Sequence, residues 1–83
     1  MTDYGAIPQA DAILDAPGLA CATLTPLIKT TIRDMESGRV LEVRSDDPAA
    51  RLGVPAWSRL TGNELLHTVE EDAQRTRFYI LKK

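Results

Sequence analysis

The amino-acid sequence predicts an α+β fold, a two-layer α/β sandwich in which two helices cover one face of a mixed four-stranded sheet. Helix-period and strand-period apolar spacings alternate along the chain in the order strand, helix, strand, helix, strand, strand (βαβαββ). Strand–helix–strand units favour parallel pairing of their strands, whereas a short reversal between the last two strands favours an antiparallel hairpin. A chain of 83 residues has room for one such domain.

A short leader and one folded domain are expected. Residues 1–9 carry no apolar periodicity, so we assign them to a flexible leader and residues 10–83 to the domain. The first strand is predicted over residues 10–16, and the turn signal Pro17-Gly18 ends it. One face of this strand would carry Ala12, Leu14 and Ala16.

The first helix has the clearest pattern in the chain. From Leu24 onward, apolar residues recur at spacings of three and four, so they line one side of a helix that would face the sheet. They are Leu24, Leu27, Ile28, Ile32 and Met35. We expect Glu36-Ser37-Gly38 to end this helix, with Gly38 in the left-handed conformation usual just beyond a helix.

The sequence leaves two positions open for the start of this helix. Pro26 disfavours helical geometry at Thr25, which would then cap a helix beginning at Pro26. Alternatively, the helix begins just after Cys21, and Pro26 in the first turn lacks only an N–H that has no intrahelical partner. The choice matters because a helix N-terminus favours a thiolate over a thiol.

A second strand and a second helix follow. The strand is predicted over residues 39–44, with Leu41 and Val43 on one face or the other of a half-buried sheet. Ser45-Asp46-Asp47-Pro48 predicts a helix start, since an aspartate accepts free N–H groups and proline suits the first helical position. A helix cap next to proline explains Asp46 and Asp47 at least as well as a paired-carboxylate site does.

Proline then predicts an interruption of the second helix. Pro55 lacks an N–H, so we expect a turn near Gly53 and a second helical stretch through Trp57 and Leu60, closed by Gly62. Residues 64–70 and 75–82 are predicted to be strands of a hairpin whose reversal is Asp72-Ala73-Gln74.

Composition excludes several classes of protein. Hydrophobic residues make up 43% of the chain and the net charge is −2, with the two signs interspersed, so a general nucleic-acid footprint is absent. No apolar run has the length of a membrane span or secretory signal. The single cysteine excludes an internal disulfide, and the simplest compartment is a reducing cytoplasm.

Among single residues, Cys21 is the candidate for chemistry. A lone intracellular cysteine is otherwise a small buried hydrophobic residue, which is the alternative interpretation. Trp57 is expected to anchor a helix on the sheet, and His67, with no second metal-ligand type near it in sequence, is expected to be structural or exposed. A set of cations is expected to be solvated: Lys29, Arg33, Arg39, Arg44, Arg51 and Arg59.

Five separated segments resemble, in order and spacing, the TusA/SirA-like family of small sulfur carriers, and the match covers residues 12–82. They are LDAPGLAC (14–21), GRVLEVRSDDP (38–48), VPAW (54–57), LTG (60–62) and RFYILK (77–82). The resemblance implies a fold like the C-terminal domain of translation initiation factor three, in agreement with the pattern above. It also implies a sulfurtransferase-type carrier that holds sulfane sulfur as a persulfide on Cys21, with no metal or organic cofactor.

The chain departs from the family pattern at this site. The family has prolines one and three residues after its cysteine, where this chain has Ala22 and Leu24, and it commonly has Gly-His where this chain has Gly62-Asn63. The resemblance favours the earlier helix start. A second hypothesis is a non-catalytic module on the same fold that binds RNA or a regulatory protein.

The resemblance also implies partners. They are a cysteine desulfurase or a rhodanese as sulfur donor and a DsrE-type or other thiol protein as acceptor, with no membrane and no direct nucleic-acid contact. Such carriers are associated with tRNA thiolation, molybdenum-cofactor synthesis, sulfur oxidation and thiosulfate import, and the sequence does not select among these.

Overall fold

The computed structural model describes residues 9–72 and 75–83, with the side chain of Cys21 outside that description. The elements are β1 (Ala12–Ala16), α1 (Cys21–Arg33), β2 (Val40–Ser45), α2 (Ala50–Thr61), β3 (Glu64–Glu70) and β4 (Thr76–Leu81). Their order confirms the predicted βαβαββ sequence, and most strand bounds lie within one or two residues of the expected ones. The predicted leader lies, apart from Gln9, outside the described residues.

The sheet is mixed, as predicted. Its strand order is β1-β2-β4-β3; β1 pairs with β2 in parallel, and the other two pairs are antiparallel. Both helices contact each other and bury residues in one core, so they lie on the same face of the sheet. This arrangement gives the sheet a helix-covered face and a second face, which we call the open face.

The core lies between the helices and the central strands. Its buried members are Ala16, Leu24, Ile28, Ile32, Leu41, Val43, Ala50, Val54, Phe78 and Ile80. The predicted packing is therefore confirmed for most of the apolar stripe, with Met35 partly buried against it. The prediction that Leu27 faces the sheet is wrong, because its side chain is 37% exposed. It lies about 100° around the helix from Ile28 and so falls on the flank of the buried face.

The first helix ends earlier than the turn residues suggested. It stops at Arg33, with Asp34 at the C-cap, and the N–H of Met35 continues with a bond to the carbonyl of Ile32. Gly38 does adopt a positive φ of 87°, as predicted, but it serves the turn that leads into β2. Its N–H donates to the carbonyl of Lys82, which fixes this turn to the end of β4.

The second helix is continuous, so the predicted break near Gly53 is wrong. Pro55 lies inside a helix that runs from Ala50 to Thr61. A proline there removes the single N–H bond to the carbonyl of residue 51. The helix persists because Ala50, Val54 and Ser58 remain buried on one face across the proline, and that packing outweighs one missing bond. Gly62 ends the helix with a φ of 80°, as predicted.

This helix also begins later than Pro48, the residue predicted to open it. Pro48 and Ala49 form a turn before the first helical residue, Ala50. The N–H of Ala49 donates to Asp47 Oδ1 at 3.0 Å, and the N–H of Ala50 donates to the Asp47 carbonyl at 3.0 Å. Asp47 therefore stabilises the turn that leads into the helix, but the prediction that an aspartate caps the helix is wrong, because the N-cap residue is Ala49 and has no side-chain cap bond.

The last two strands form the expected antiparallel hairpin. Its ladder contains a register shift between Leu65 and His67, which pair with Ile80 and Tyr79. The predicted reversal lies partly outside the described residues, since 73 and 74 are not described. On its described side, the N–H of Arg75 donates to Asp72 Oδ1 at 2.8 Å.

Candidate functional site

The candidate site lies in the loop that joins β1 to α1. The two parallel strands β1 and β2 end at the same edge of the sheet, so the loops that follow them lie side by side. The N–H of Gly18 donates to Asp46 Oδ1 at 2.8 Å, which joins the two loops. Gly18 has a φ of 77°, a conformation that L side chains rarely adopt, so the turn depends on glycine at this position.

The loop delivers Cys21 to the first position of α1. Ala20 is the N-cap residue, with extended backbone angles, and its carbonyl accepts the N–H groups of Thr23 and Leu24 at 2.9 Å each. The structure therefore selects the earlier of the two predicted helix starts. The side chain of Cys21, and with it the exposure of the sulfur, lies outside the described part of the structure.

Pro26 has a different place in the helix from the one expected. It is the sixth helical residue, so the prediction that it removes only an N–H without a helical partner is wrong. The missing N–H is one that would have bonded the carbonyl of Ala22. As in α2, the helix continues through the proline, here with Leu24, Ile28 and Ile32 buried in the core.

The first turn of α1 is electrostatically suited to an anion. Ala20 has no side-chain oxygen that could cap the helix, and no acidic residue lies in the first turn. The N-terminal N–H groups carry about half a positive charge through the helix dipole. A thiolate or persulfide anion on the first helical residue is favoured by that charge, because it lies within the turn where the effect is strongest.

The other predicted residues have structural roles. Asp46 and Asp47 accept backbone N–H groups of Gly18 and Ala49, so both stabilise turns, but neither is the predicted cap of α2, whose N-cap residue is Ala49. Trp57 packs partly buried against the core. His67 is half-buried, with its ring 6.5 Å from that of Tyr79.

The predicted set of solvated cations is correct except for Arg51, which is partly buried. Its Nε donates to Thr76 Oγ1 at 2.8 Å, and Nη1 lies 3.6 Å from Glu70 Oε1. These bonds fix α2 to the hairpin. The sequence offered no signal for this role, because the partners are 19 and 25 residues away from Arg51 along the chain.

Two further searches of the described residues are negative. No group of three or more histidine, cysteine, aspartate or glutamate side chains there is placed to hold a metal ion. Neither helix in that part of the chain is long and apolar enough to cross a membrane.

Comparison with known proteins identifies relatives along the whole domain. The family model described as sulfurtransferase TusA matches residues 12–82. The sulfur carrier protein TusA of Pseudomonas putida strain W619 is 36% identical over 83 residues, covering 100% of this chain and 98% of that protein. The YrkI protein of Bacillus subtilis is 36% identical over 74 residues, covering 89% of this chain and 97% of that protein.

A solved structure shares the fold. The crystal structure of the SirA-like protein from Desulfitobacterium hafniense has a TM-score of 0.73 to this chain, at 21% sequence identity. The likeness covers 84% of this chain and 95% of that one. The two-layer arrangement predicted from the sequence is therefore one that a known protein adopts.

Proposed function

Because this chain belongs to the TusA family of sulfur carriers, we propose that it relays sulfane sulfur as a persulfide on Cys21. The observation that carries the proposal is the place of this cysteine, the first residue of a 13-residue helix that has no acid in its first turn. A thiolate is the nucleophile in sulfur transfer, and a helix N-terminus lowers the pKa of a thiol. The same N–H groups would favour the persulfide anion after transfer.

The transfer is an exchange between two sulfur atoms. The Cys21 thiolate attacks the outer sulfur of a persulfide on a donor protein, and a new S–S bond forms at Cys21. The donor's S–S bond breaks and its inner sulfur leaves as a thiolate. One S–S bond replaces another, so no external oxidant or reductant is needed. An acceptor thiolate then removes the outer sulfur from Cys21 in the same way.

Two proteins must dock near Cys21 for this relay, and the outer side of the helices suits them. The two helices contain four cations and no carboxylate, although the whole chain has a net charge of −2. Lys29, Arg33 and Arg59 are exposed, and no ion pair to them occurs within the described residues. Leu52 and Leu60 are 82% and 87% exposed on α2.

This helix-layer surface, formed by Leu27, Lys29, Arg33, Leu52, Arg59 and Leu60, therefore fits an acidic partner surface with apolar patches. The donor would be a cysteine desulfurase or a rhodanese, and the acceptor a DsrE-type or other thiol protein. Replacing Arg59 by glutamate should slow sulfur transfer from such a donor, and added salt should lower the transfer rate less than it does for the parent protein, because less attraction remains to be screened. Arg39→Glu, outside the helices, is the matched control.

The decisive experiment is sulfur loading. The protein is incubated with a cysteine desulfurase and cysteine, and intact-mass spectrometry records the addition of one sulfur. We expect loading of the parent protein and none of the Cys21→Ser variant. If a control carrier is loaded while this chain is not, the chain has kept the fold without the carrier role, and the hypothesis of a non-catalytic binding module would replace the proposal.

A further inference from the structure

The loop that delivers Cys21 is held at two places. It joins β1 to α1 and covers residues 17–20. Leu19 is partly buried and packs against the core. Gly18 has no such packing, because a Cβ built on it would meet nothing within 4 Å. The position of Gly18 therefore depends on the hydrogen bond that its N–H donates to Asp46 Oδ1 at 2.8 Å.

Open space borders the loop beside this hydrogen bond. Pro17 and Asp46 both line a pocket of about 400 Å³ at the edge of the sheet where β1 and β2 end. The loop after β1 and the loop after β2 are thus separated in part by accessible space rather than by packed side chains. The hydrogen bond across this space holds the first loop where packing does not.

The turn that contains Asp46 is itself held by hydrogen bonds. Asp46 follows Ser45, the buried last residue of β2. Ser45 Oγ accepts the N–H of Asp47 at 3.1 Å, and Asp47 Oδ1 accepts the N–H of Ala49 at 3.0 Å. These bonds restrain the backbone on both sides of Asp46, so its carboxylate is a firm point of attachment for the first loop.

The cations of the pocket do not compete for this carboxylate. Arg44 and Arg77, which are opposite each other across β2 and β4, line the same pocket as Asp46. Each of them forms its ion pair with a glutamate. No ion pair to Asp46 occurs in the part of the chain that the structure describes. Asp46 therefore serves as a hydrogen-bond acceptor for Gly18, a role that an uncharged oxygen could also fill.

The start of α1 benefits from such an attachment. Its N-cap residue, Ala20, has no side-chain cap bond, so backbone bonds to the Ala20 carbonyl hold the first turn. Helix ends fray, and Gly18 lies only three residues before Cys21. Holding Gly18 restrains the direction from which the chain enters the helix. The attachment lies outside the helix, so it need not occupy the first-turn N–H groups that would favour a sulfur anion.

We propose that Asp46 is a positioning residue for sulfur transfer: by holding Gly18, it keeps Cys21 in the first turn of α1. Asp46 acts through the loop, and this inference rests on the proposed carrier function. It adds a second requirement to that function, because the reactivity of Cys21 would then depend on a carboxylate 25 residues later in the chain.

The test compares Asp46→Ala with Asp46→Asn. Alanine removes the acceptor, whereas asparagine keeps an acceptor oxygen without the charge. We expect Asp46→Ala to slow sulfur loading by a cysteine desulfurase about tenfold, because a hydrogen bond to a charged group contributes enough free energy for such a change. Asp46→Asn should load at nearly the parent rate. Asp47→Ala is the matched control, since this neighbouring carboxylate accepts a different N–H, that of Ala49.

The pKa of the Cys21 thiol provides a second readout, measured as the pH dependence of alkylation by iodoacetamide. Removal of a negative charge by itself lowers the pKa of a nearby thiol. Loss of the attachment has the opposite sign, since a thiol that leaves a helix N-terminus approaches the pKa of free cysteine, about 8.5. We therefore expect the pKa to rise in Asp46→Ala and not in Asp46→Asn. A loss of stability alone would lower the melting temperature without moving this pKa.

The proposal is overturned if Asp46→Ala loads sulfur as fast as the parent protein, or if its thiol pKa falls. It is also overturned if Asp46→Asn is as slow as Asp46→Ala, because the charge would then be responsible, or if Asp47→Ala is as slow, because the effect would then belong to the whole turn. Should Asp46→Ala fail to fold, hydrogen exchange of the Gly18 N–H in the parent protein decides: exchange at the rate of an unstructured chain contradicts the attachment.

Failure of the carrier role gives a different result. A parent protein that is not loaded, while a control carrier is loaded, rejects the proposed function. The alkylation measurements need no sulfur donor, so they then decide separately whether Asp46 positions Cys21.

Discussion

The two helices of this protein begin in different ways, although both are continuous through a proline at their sixth residue. The start of α2 is preceded by Asp47, whose side chain and backbone carbonyl accept the N–H groups of Ala49 and Ala50. The start of α1 follows Ala20, which has no side-chain acceptor, and Cys21 comes next. Both helices have an alanine N-cap without a side-chain cap bond, and their starts differ in that the Asp47 carboxylate accepts the N–H of Ala49, the N-cap residue of α2.

This difference has a functional consequence. A capping carboxylate would compete with a thiolate or persulfide for the first-turn N–H groups and would repel it. Leaving out the cap costs the helix about 1 kcal/mol. Without such a carboxylate, the first-turn N–H groups of α1 can favour the proposed sulfur anion on Cys21.

The largest expected effect tests which face of α1 is buried. Ile28 of α1 is fully buried, so Ile28→Ala should lower the free energy of unfolding by about 2–5 kcal/mol, as for other core truncations. Leu27→Ala, one residue away and partly exposed, should cost less than about 1 kcal/mol. Chemical denaturation of both variants measures the contrast. Equal losses would show that the buried face of α1 is assigned wrongly.

The next prediction concerns the loop that sets the start of α1. Gly18 and Gly38 both have positive φ and open space around an added Cβ. Replacement of either by alanine should therefore cost about 1–2 kcal/mol from backbone strain alone. Only Gly18→Ala should also slow sulfur loading, since Gly18 holds the loop to Asp46. Similar loading rates for the two variants would separate this loop from the function.

A smaller effect is expected at the start of α2. Asp47→Ala should destabilise the protein by about 1 kcal/mol through loss of the hydrogen bond from the Ala49 N–H, while leaving sulfur loading of Cys21 unchanged. Asp47→Asn keeps an acceptor oxygen, so its loss of stability should be only a fraction of that of Asp47→Ala. Thermal denaturation and the loading assay together test this, and a loading defect in Asp47→Ala would mean that the two helix starts are coupled.

The smallest expected change in stability has the opposite sign. Ala20→Asp gives α1 the cap it lacks, so it should stabilise the protein by about 0.5–1 kcal/mol and slow sulfur loading. Ala20→Asn provides an uncharged cap, so a larger loading defect in the aspartate variant would assign the effect to charge. Unchanged loading in Ala20→Asp would contradict the proposed role of the helix start.

Local sequence patterns were enough to predict the order of elements, the mixed sheet with helices on one face, and most of the core. These follow from local signals: apolar spacing in α1, alternation in β1 and β2, and glycine beyond α2. The candidate cysteine was also accessible from sequence, because the segments around it resemble a known family. Periodicity locates a buried stripe of a helix but not the edges of that stripe. It therefore predicts Leu27 to be in the core, although the side chain is partly exposed.

Features that depend on contacts between distant segments become visible only in the folded chain. The residues around Pro55, taken alone, predict a break in α2. The helix is nevertheless continuous, because Val54 and Ser58 are buried. The opposition of Arg44 and Arg77 depends on strand register, because a slip of one residue would place each arginine opposite a different residue. Residues 33 positions apart carry no mutual signal in the sequence. Their distance is set by which strands pair, and pairing is a property of the whole sheet.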